Sequence, residues 1–385
     1  MRSFRLVLGS VAVVISGLSV SACTGSSSSP GGGSSGSASG DGVGPGGSSG
    51  STDGDGPGAA GALPATTFLF VSRIADDRDV LVAYDRASGE TRVVTDLRGD
   101  GSEGWKINGY AISPDRTRIA LTSLYGPTKD DVDTKLATNR IWTLAPDGSD
   151  FRRLTPVFEN TGGGRTNFTI EIQGPIFSKS GANIFFGYGE YWWEGTNLRG
   201  GSGIWSVNAA GGELPTIFEN PSPCSLVDPS VDPSTGKVAI LHSVCIPGQG
   251  QDGIYLHAED GSGEPELLLA RDYNSMDIML ETPRWAADGS GFVFIAASQV
   301  PDGNTTRMAR GLYVFDMAER KAIPIVVPED PDARVIDGTA APDVSALVYC
   351  LQQGEATNLH LIDLSVDPPT DTQITNDGTS CHPVW

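Results

Sequence analysis

The sequence predicts an all-β fold: a six-bladed β-propeller of four-stranded antiparallel blades, its ring closed by the C-terminal strand joining the N-terminal blade. Three observations predict it. An apolar stretch running into a tight turn recurs at Ile112, Phe177, Val231, Trp285, Ala340 and Trp385, at intervals of 65, 54, 54, 55 and 45 residues. Between these points lie six alternating strands: LVAYD at Leu81, IWTLA at Ile141, IWSVN at Ile204, IYLHA at Ile254, LYVFD at Leu312 and LHLID at Leu359. Finally, the sequence ends at Trp385, where a turn and a second strand are due. A period of this size signals a repeat architecture, and four short strands per period signal propeller blades.

The first segment is read apart from the fold. MRSFRLVLGSVAVVISGLSVSAC carries Arg2 and Arg5, an apolar run, and small residues before Cys23. It is a secretory signal, too short for a membrane span. Its end resembles the lipobox of bacterial lipoproteins, which implies a signal peptide over residues 1–22 and a lipidated Cys23. Residues 23–64 form a tether of Gly, Ser, Pro, Asp and Ala. Such a segment buries too little apolar surface to offset its chain entropy, and about 40 residues of it reach roughly 35 Å r.m.s..

The propeller then occupies residues 65–385. Removing Arg2 and Arg5 from the 26 Lys+Arg leaves 24 against 47 Asp+Glu, a mature net charge near −23. That balance excludes nucleic acid as a partner and leaves the lipid anchor as the membrane contact.

The first blade takes TFLFVS from Thr67, VLVAYD from Val80 and TRVVTD from Thr91, three strands that lack an innermost one. The second begins with YAISPDRTRIAL from Tyr110, where Ser113-Pro114-Asp115 suits a type I turn. GPIFSKSGANIFF from Gly174, DPSVDPSTGKVAI from Asp228 and TPRWAADGSGFVFI from Thr282 open the third, fourth and fifth; Ala341-Pro342-Asp343 marks the sixth. Trp385 then ends the innermost strand of the first blade, and joining the two chain ends leaves no exposed sheet edge.

The motifs ISPDRTRIAL, IWTLAPDGSDFRRLT and WAADGSGFVFI resemble the WD40-like repeats of the TolB family propeller. The resemblance covers nearly all of residues 65–385. It implies a periplasmic setting, with a lipidated tether here in place of the α/β domain that precedes that family's propeller.

Strand alternation places the connections between second and third strands, and those between blades, on one face. Four are long: residues 124–139, 187–203, 298–310 and 156–167. Long loops on one face of a rigid scaffold are where binding usually resides. The four cysteines of the propeller fall there as well. Their positions along the blades pair Cys224 with Cys245 and Cys350 with Cys381, the second bond crossing the seam of ring closure.

Within EYWWEGTNLRG, three adjacent bulky aromatics cannot all face one core. Tyr188, Tyr191, Trp192, Trp193 and Arg199 are therefore the candidate binding residues, aromatic and Arg side chains being enriched at hot spots. The bland alternative is a loop folded over the disc as a plug. Trp142 and Trp205 share a strand position with Tyr255 and Tyr313 and read as packing.

No catalytic set stands out: a G-x-S-x-G elbow is absent from the propeller. His242 and His257 lie on neighbouring strands, and two structural histidines are expected there rather than a zinc pair. Acidic runs at Asp76, Asp77 and Asp79, at Asp100 and Glu103, and at Asp130, Asp131 and Asp133 read as solvated surface. No cofactor or metal is expected. The chain reads as a monomeric, membrane-anchored envelope module binding a protein, peptide or glycan; the rival is an exported hydrolase or lyase with an axial-pocket site, with or without a divalent metal.

Overall fold

The computed structural model describes residues 61–74, 78–96, 106–123, 139–155, 166–194, 196–212, 216–219, 224–243, 245–271, 281–302 and 305–385. Cys23 with its signal and most of the tether lie outside them, as do Asp76, Asp77, Asp100, Glu103, Asp130, Asp131 and Asp133.

Strands are numbered in chain order. Blade one contains β1 (Thr67–Ile74), β2 (Arg78–Asp85) and β3 (Glu90–Asp96). Blade two is β4 (Ile107–Ile112), β5 (Ile119–Ser123), β6 (Arg140–Leu144) and β7 (Arg152–Arg153). Blade three is β8 (Thr166–Phe177), β9 (Asn183–Glu194), β10 (Asn197–Asn208) and β11 (Thr216–Glu219). Blade four is β12 (Ser225–Val231), β13 (Val238–Ser243), β14 (Gly253–His257) and β15 (Glu266–Ala270). Blade five is β16 (Glu281–Trp285), β17 (Gly291–Asp302), β18 (Thr305–Asp316) and β19 (Lys321–Val326). Blade six is β20 (Ala333–Ala340), β21 (Ala346–Gln353), β22 (Ala356–Asp363) and β23 (Thr370–Gln373). The C-terminal β24 (Ser380–Val384) pairs antiparallel with β1, completing blade one and closing the ring. All six blades are four-stranded, and no helix occurs among the described residues.

The middle strands explain why the sequence reads so apolar. β5 and β6 are buried at every residue, because each blade is covered on both faces by its neighbours. One apolar cluster fills each seam. Ile112 joins the cluster between blades one and two, Phe177 that between two and three, and Val231 that between three and four. Trp285, Ala340 and Trp385 do the same for the remaining three seams. The equivalent position thus alternates aromatic and smaller residues around the ring, which fits close packing where six large rings at one radius would crowd.

The turns are held by their own side chains. In the first S-P-D turn the Ser113 hydroxyl donates to Asp115 at 2.6 Å and accepts from the Arg118 amide at 2.9 Å. Asp-x-Ser pairs at Asp147/Ser149, Asp288/Ser290 and Asp343/Ser345 repeat the device in later turns. Arg116, in the same first turn, donates to the carbonyls of Leu63 and Pro64, at 2.9 and 3.0 Å, so the chain enters the propeller on the short-turn face.

Ring closure is reinforced three ways. Trp385 packs against Phe68 in a tilted ring contact at 5.3 Å and donates its indole N–H to the Ala65 carbonyl at 2.7 Å. The Cys350–Cys381 disulfide ties β21 to β24, and Cys224–Cys245 closes the second bond of the expected pairing. One placement is corrected: Cys381 lies inside β24, an inner strand, and not in a loop entering the blade.

Two of the four long loops are also corrected. Residues 187–203 belong to β9 and β10, paired from Asn183↔Asn208 to Glu194↔Asn197, and 298–310 to β17 and β18, paired through Asp302↔Thr305. Their alternating β-formers continue the ladder as far as Glu194↔Asn197 and Asp302↔Thr305. Of the other two loops, 124–138 and 156–165 lie outside the described residues.

Candidate functional site: a bulge ring in the axial channel

The innermost strands of all six blades line a channel of about 1200 Å³. Each of these strands carries one residue more than its partner at nearly the same level. Three steps of β12 from Val227 to Ser230 face two steps of β13, and the same count holds in β4, β8, β16 and β24. In β20 the extra residue comes between Val335 and Asp337. A bulge bends the strand and re-aims a side chain, and bulges gather beside functional sites.

At the bulge level the six blades place Gly109, Gly174, Asp228, Thr282, Asp337 and His382. Four of these have φ in the left-handed range: +148° at Gly109, +61° at Gly174, +50° at Asp228 and +54° at His382. Asp and His tolerate that conformation better than bulkier or β-branched residues but still at a cost, and such strain concentrates at functional sites. Proline follows in four of the six: Pro175, Pro229, Pro283 and Pro383.

The charged half of the ring is one connected set. Arg284 of β16 donates through Nη2 to Asp337 at 2.9 Å and through Nε at 3.3 Å, while the Gly338 amide donates to the same carboxylate at 2.8 Å. His382 Nδ1 lies 3.4 Å from Asp337 Oδ2, the oxygen that also takes Arg284 Nη2. Burial pushes the Asp337 carboxyl up, but the Arg284 guanidinium and the His382 contact outweigh it and hold it well below the usual range. The carboxylate is therefore an acceptor, Nδ1 is the protonated nitrogen of His382, and Nε2 remains as a lone-pair acceptor in the neutral ring. The His382 side chain is 52% exposed and lines the channel. Tyr110 fixes it from behind, its hydroxyl donating to the His382 and Leu69 carbonyls.

Blades two and three present backbone, and Asp228 of blade four adds a carboxylate that acts on Arg284. A Cβ added to Gly109 would come within 3.1 Å of the Gly174 nitrogen, and one on Gly174 within 3.7 Å of Pro229. Blades two to four therefore approach one another closely at this level.

The aromatic hairpin places the sequence-derived candidates differently. Tyr188 is buried, packed on Trp205 at 4.4 Å and donating to Glu190 at 2.8 Å. Tyr191 and Trp192 are half-buried, and Trp193, 43% exposed, stands near the hairpin tip opposite Leu198. Arg199 pairs with Trp192 in the β9–β10 ladder, and its side chain lies outside the described residues. Of the pair read as packing, Trp142 is 2% exposed and Trp205 half-buried.

Two other sequence candidates resolve as internal contacts. Asp79 is buried, accepting from Arg73 at 3.3 Å and from the Ile107 amide at 2.9 Å. His242 and His257 meet, Nε2 to Nε2, at 3.0 Å. Among the described residues no group of three or more His, Cys, Asp or Glu side chains is placed to hold a metal ion.

The channel set itself was missed by sequence reasoning, which treated the inner strands as packing. The signal was there: Gly-Pro, Asp-Pro, Thr-Pro and His-Pro at one phase of the repeat, inside segments expected to be apolar strand.

No protein-family model matches the chain, and no curated protein matches it. Solved structures do. TolB from Acinetobacter baumannii is 14% identical over 86% of this chain and 67% of its own, with a TM-score of 0.56. The nidogen/laminin complex contains a chain 10% identical over 83% of this chain and 97% of its own, at 0.52. A puromycin hydrolase is 14% identical over 84% of this chain, at 0.51, and the match spans 54% of that enzyme. These likenesses establish the fold, a TolB-like six-bladed propeller, and two disulfides fit an oxidising compartment.

Proposed function

We propose that this chain is a monomeric envelope lipoprotein, anchored through Cys23 and the 23–64 tether, whose propeller binds a protein, peptide or glycan on the face carrying the channel mouth and the long hairpins. The observation that carries this is the opposition of the two faces. The chain enters on the short-turn face, where Arg116 clasps Leu63 and Pro64, while the β9–β10 and β17–β18 hairpins rise on the other. A tether attached to the first face leaves the second free to meet a partner. Anchoring in the outer membrane, facing periplasm or cell surface, goes with this reading, and the net charge of −21 goes with a partner other than nucleic acid.

The test is capture from detergent-solubilised envelope by the intact protein, by Trp192→Ala/Trp193→Ala and by His382→Asn. A partner retained by the first and lost by either variant supports the reading and says whether hairpin or channel makes the contact. A partner held equally by all three, or none at all, counts against it.

The hydrolase or lyase reading has one specific observation in its favour. His382 held by Asp337 through Nδ1, half-exposed on the channel lining, is the arrangement of an oriented general base. Turnover of an ester, peptide or glycan substrate by the intact protein, lost in His382→Asn, would establish it.

A further inference from the structure

We infer that the bulge ring binds a neutral, hydroxyl-rich ligand, the end of a saccharide chain; this rests on the binding reading above and names its ligand class. The argument begins from what the channel presents. Asp337 fixes His382 Nδ1 as donor, leaving Nε2 as an acceptor in the neutral ring. The same carboxylate takes Nε and Nη2 of Arg284; its Nη1 makes no hydrogen bond among the described residues and remains a donor, with the Asp228 carboxylate also acting on the guanidinium. An acceptor and a donor thus flank one carboxylate. A hydroxyl group donates and accepts at once, and adjacent hydroxyls on one sugar ring match such a pair.

Charge points the same way. The channel lining holds four cations, Arg73, Lys106, Lys179 and Arg284, against five carboxylates, Asp79, Glu171, Asp228, Asp337 and Glu355. That is near balance in a protein of net charge −21. Neither an anion nor a cation is selected by the site as a whole.

An extended peptide is the competing occupant, and the inner strands are built against it. A peptide added to a sheet edge needs an uninterrupted run of backbone N–H and C=O groups. Every inner strand is broken by its bulge, and Pro175, Pro229, Pro283 and Pro383 each remove a donor from the edge. Recognition at this level therefore falls to side chains. Gly109 and Gly174 present backbone on the facing wall, and Trp285 and Trp385, which pack the adjoining seams, are among the lining residues.

The test is an immobilised array of neutral, acidic and basic oligosaccharides, probed with the full chain and with His382→Asn and Arg284→Lys. Asn accepts the left-handed backbone of position 382 but is too short to replace Nε2; Lys keeps a cation on Asp337 but loses Nη1. The circular dichroism spectrum of each variant is recorded first, to confirm the fold. Expected is retention of neutral oligosaccharides, weakened at least tenfold in each variant and changed less than twofold between low and high salt. Retention only of charged glycans with strong salt dependence, or equal binding by the folded variants, overturns the inference. A blank array beside successful envelope capture overturns it while the binding reading stands; a blank array with no capture removes both.

Discussion

Arg284 and Asp337 form a two-pronged ion pair across the seam of blades five and six, with the carboxylate 4% exposed. Removing one partner strands a buried charge, which costs about 3–5 kcal/mol, whereas replacing both by apolar residues of similar volume is often near neutral. Asp337→Asn is therefore expected to lower the urea midpoint sharply, and Arg284→Met/Asp337→Leu to recover most of the loss. Equilibrium urea unfolding of the three proteins checks this; a double variant as weak as the single would show that the pair is not the cause.

The glycine wall makes a second prediction. Gly109 has φ of +148°, and a Cβ there would meet the Gly174 nitrogen at 3.1 Å. Backbone cannot yield as a flexible side chain does, so Gly109→Ala is expected to cost on the order of 1–3 kcal/mol. Gly354→Ala is the control for backbone strain without crowding, because φ there is +62° and nothing lies within 4 Å. Thermal unfolding should separate them, with Gly109→Ala the lower.

What was legible in the sequence, and what was not, follows from how each feature is encoded. The ring was legible because its signal repeats: Ile112, Phe177, Val231, Trp285, Ala340 and Trp385 keep one phase, and each turns out to pack a seam. The disulfides were legible because blade position limits which cysteines can meet. The hairpins were misread as loops because the glycines in GYGEYWWEGTNLRGG look like breakers, although Gly187, Gly189, Gly200 and Gly201 all hold ladder positions. The channel set was not legible because Arg284, Asp337 and His382 come from three blades and are joined only by folding.

The seam disulfide should matter more to the C-terminal strand than to the whole. Cys350–Cys381 closes a segment with a sequence separation of 31, and Cys224–Cys245 one of 21. Loop-closure entropy alone predicts about 3–4 kcal/mol for either. Cys381, however, sits in β24, whose pairing with β1 closes the ring. In Cys350→Ser/Cys381→Ser, hydrogen exchange should accelerate across β24 and β1 before it does elsewhere; in Cys224→Ser/Cys245→Ser it should not. Equal acceleration in both variants would contradict a local role in closure.

The histidine pair gives the pH dependence. The Nε2–Nε2 distance is 3.0 Å and the ring centroids are 5.2 Å apart. That centroid separation is close to the longest that such a contact allows, so the rings meet nitrogen to nitrogen, as an N–H···N bond requires, and do not converge on a third atom. Both imidazoles are lowered to about 4, by burial at each and, at His242, by the neighbouring His257 as well. Above about pH 6.5 both histidines are neutral in folded and unfolded chains alike, and the pair carries no proton penalty. As pH falls from there toward 4 the unfolded chain takes up protons first, so stability drops across that window. With partial exposure discounted, the drop is on the order of 3 kcal/mol for the pair. His242→Gln/His257→Gln should be flatter between pH 7 and pH 4 in chemical unfolding, whatever its absolute stability. An unchanged slope would mean that other groups carry the acid sensitivity of the propeller.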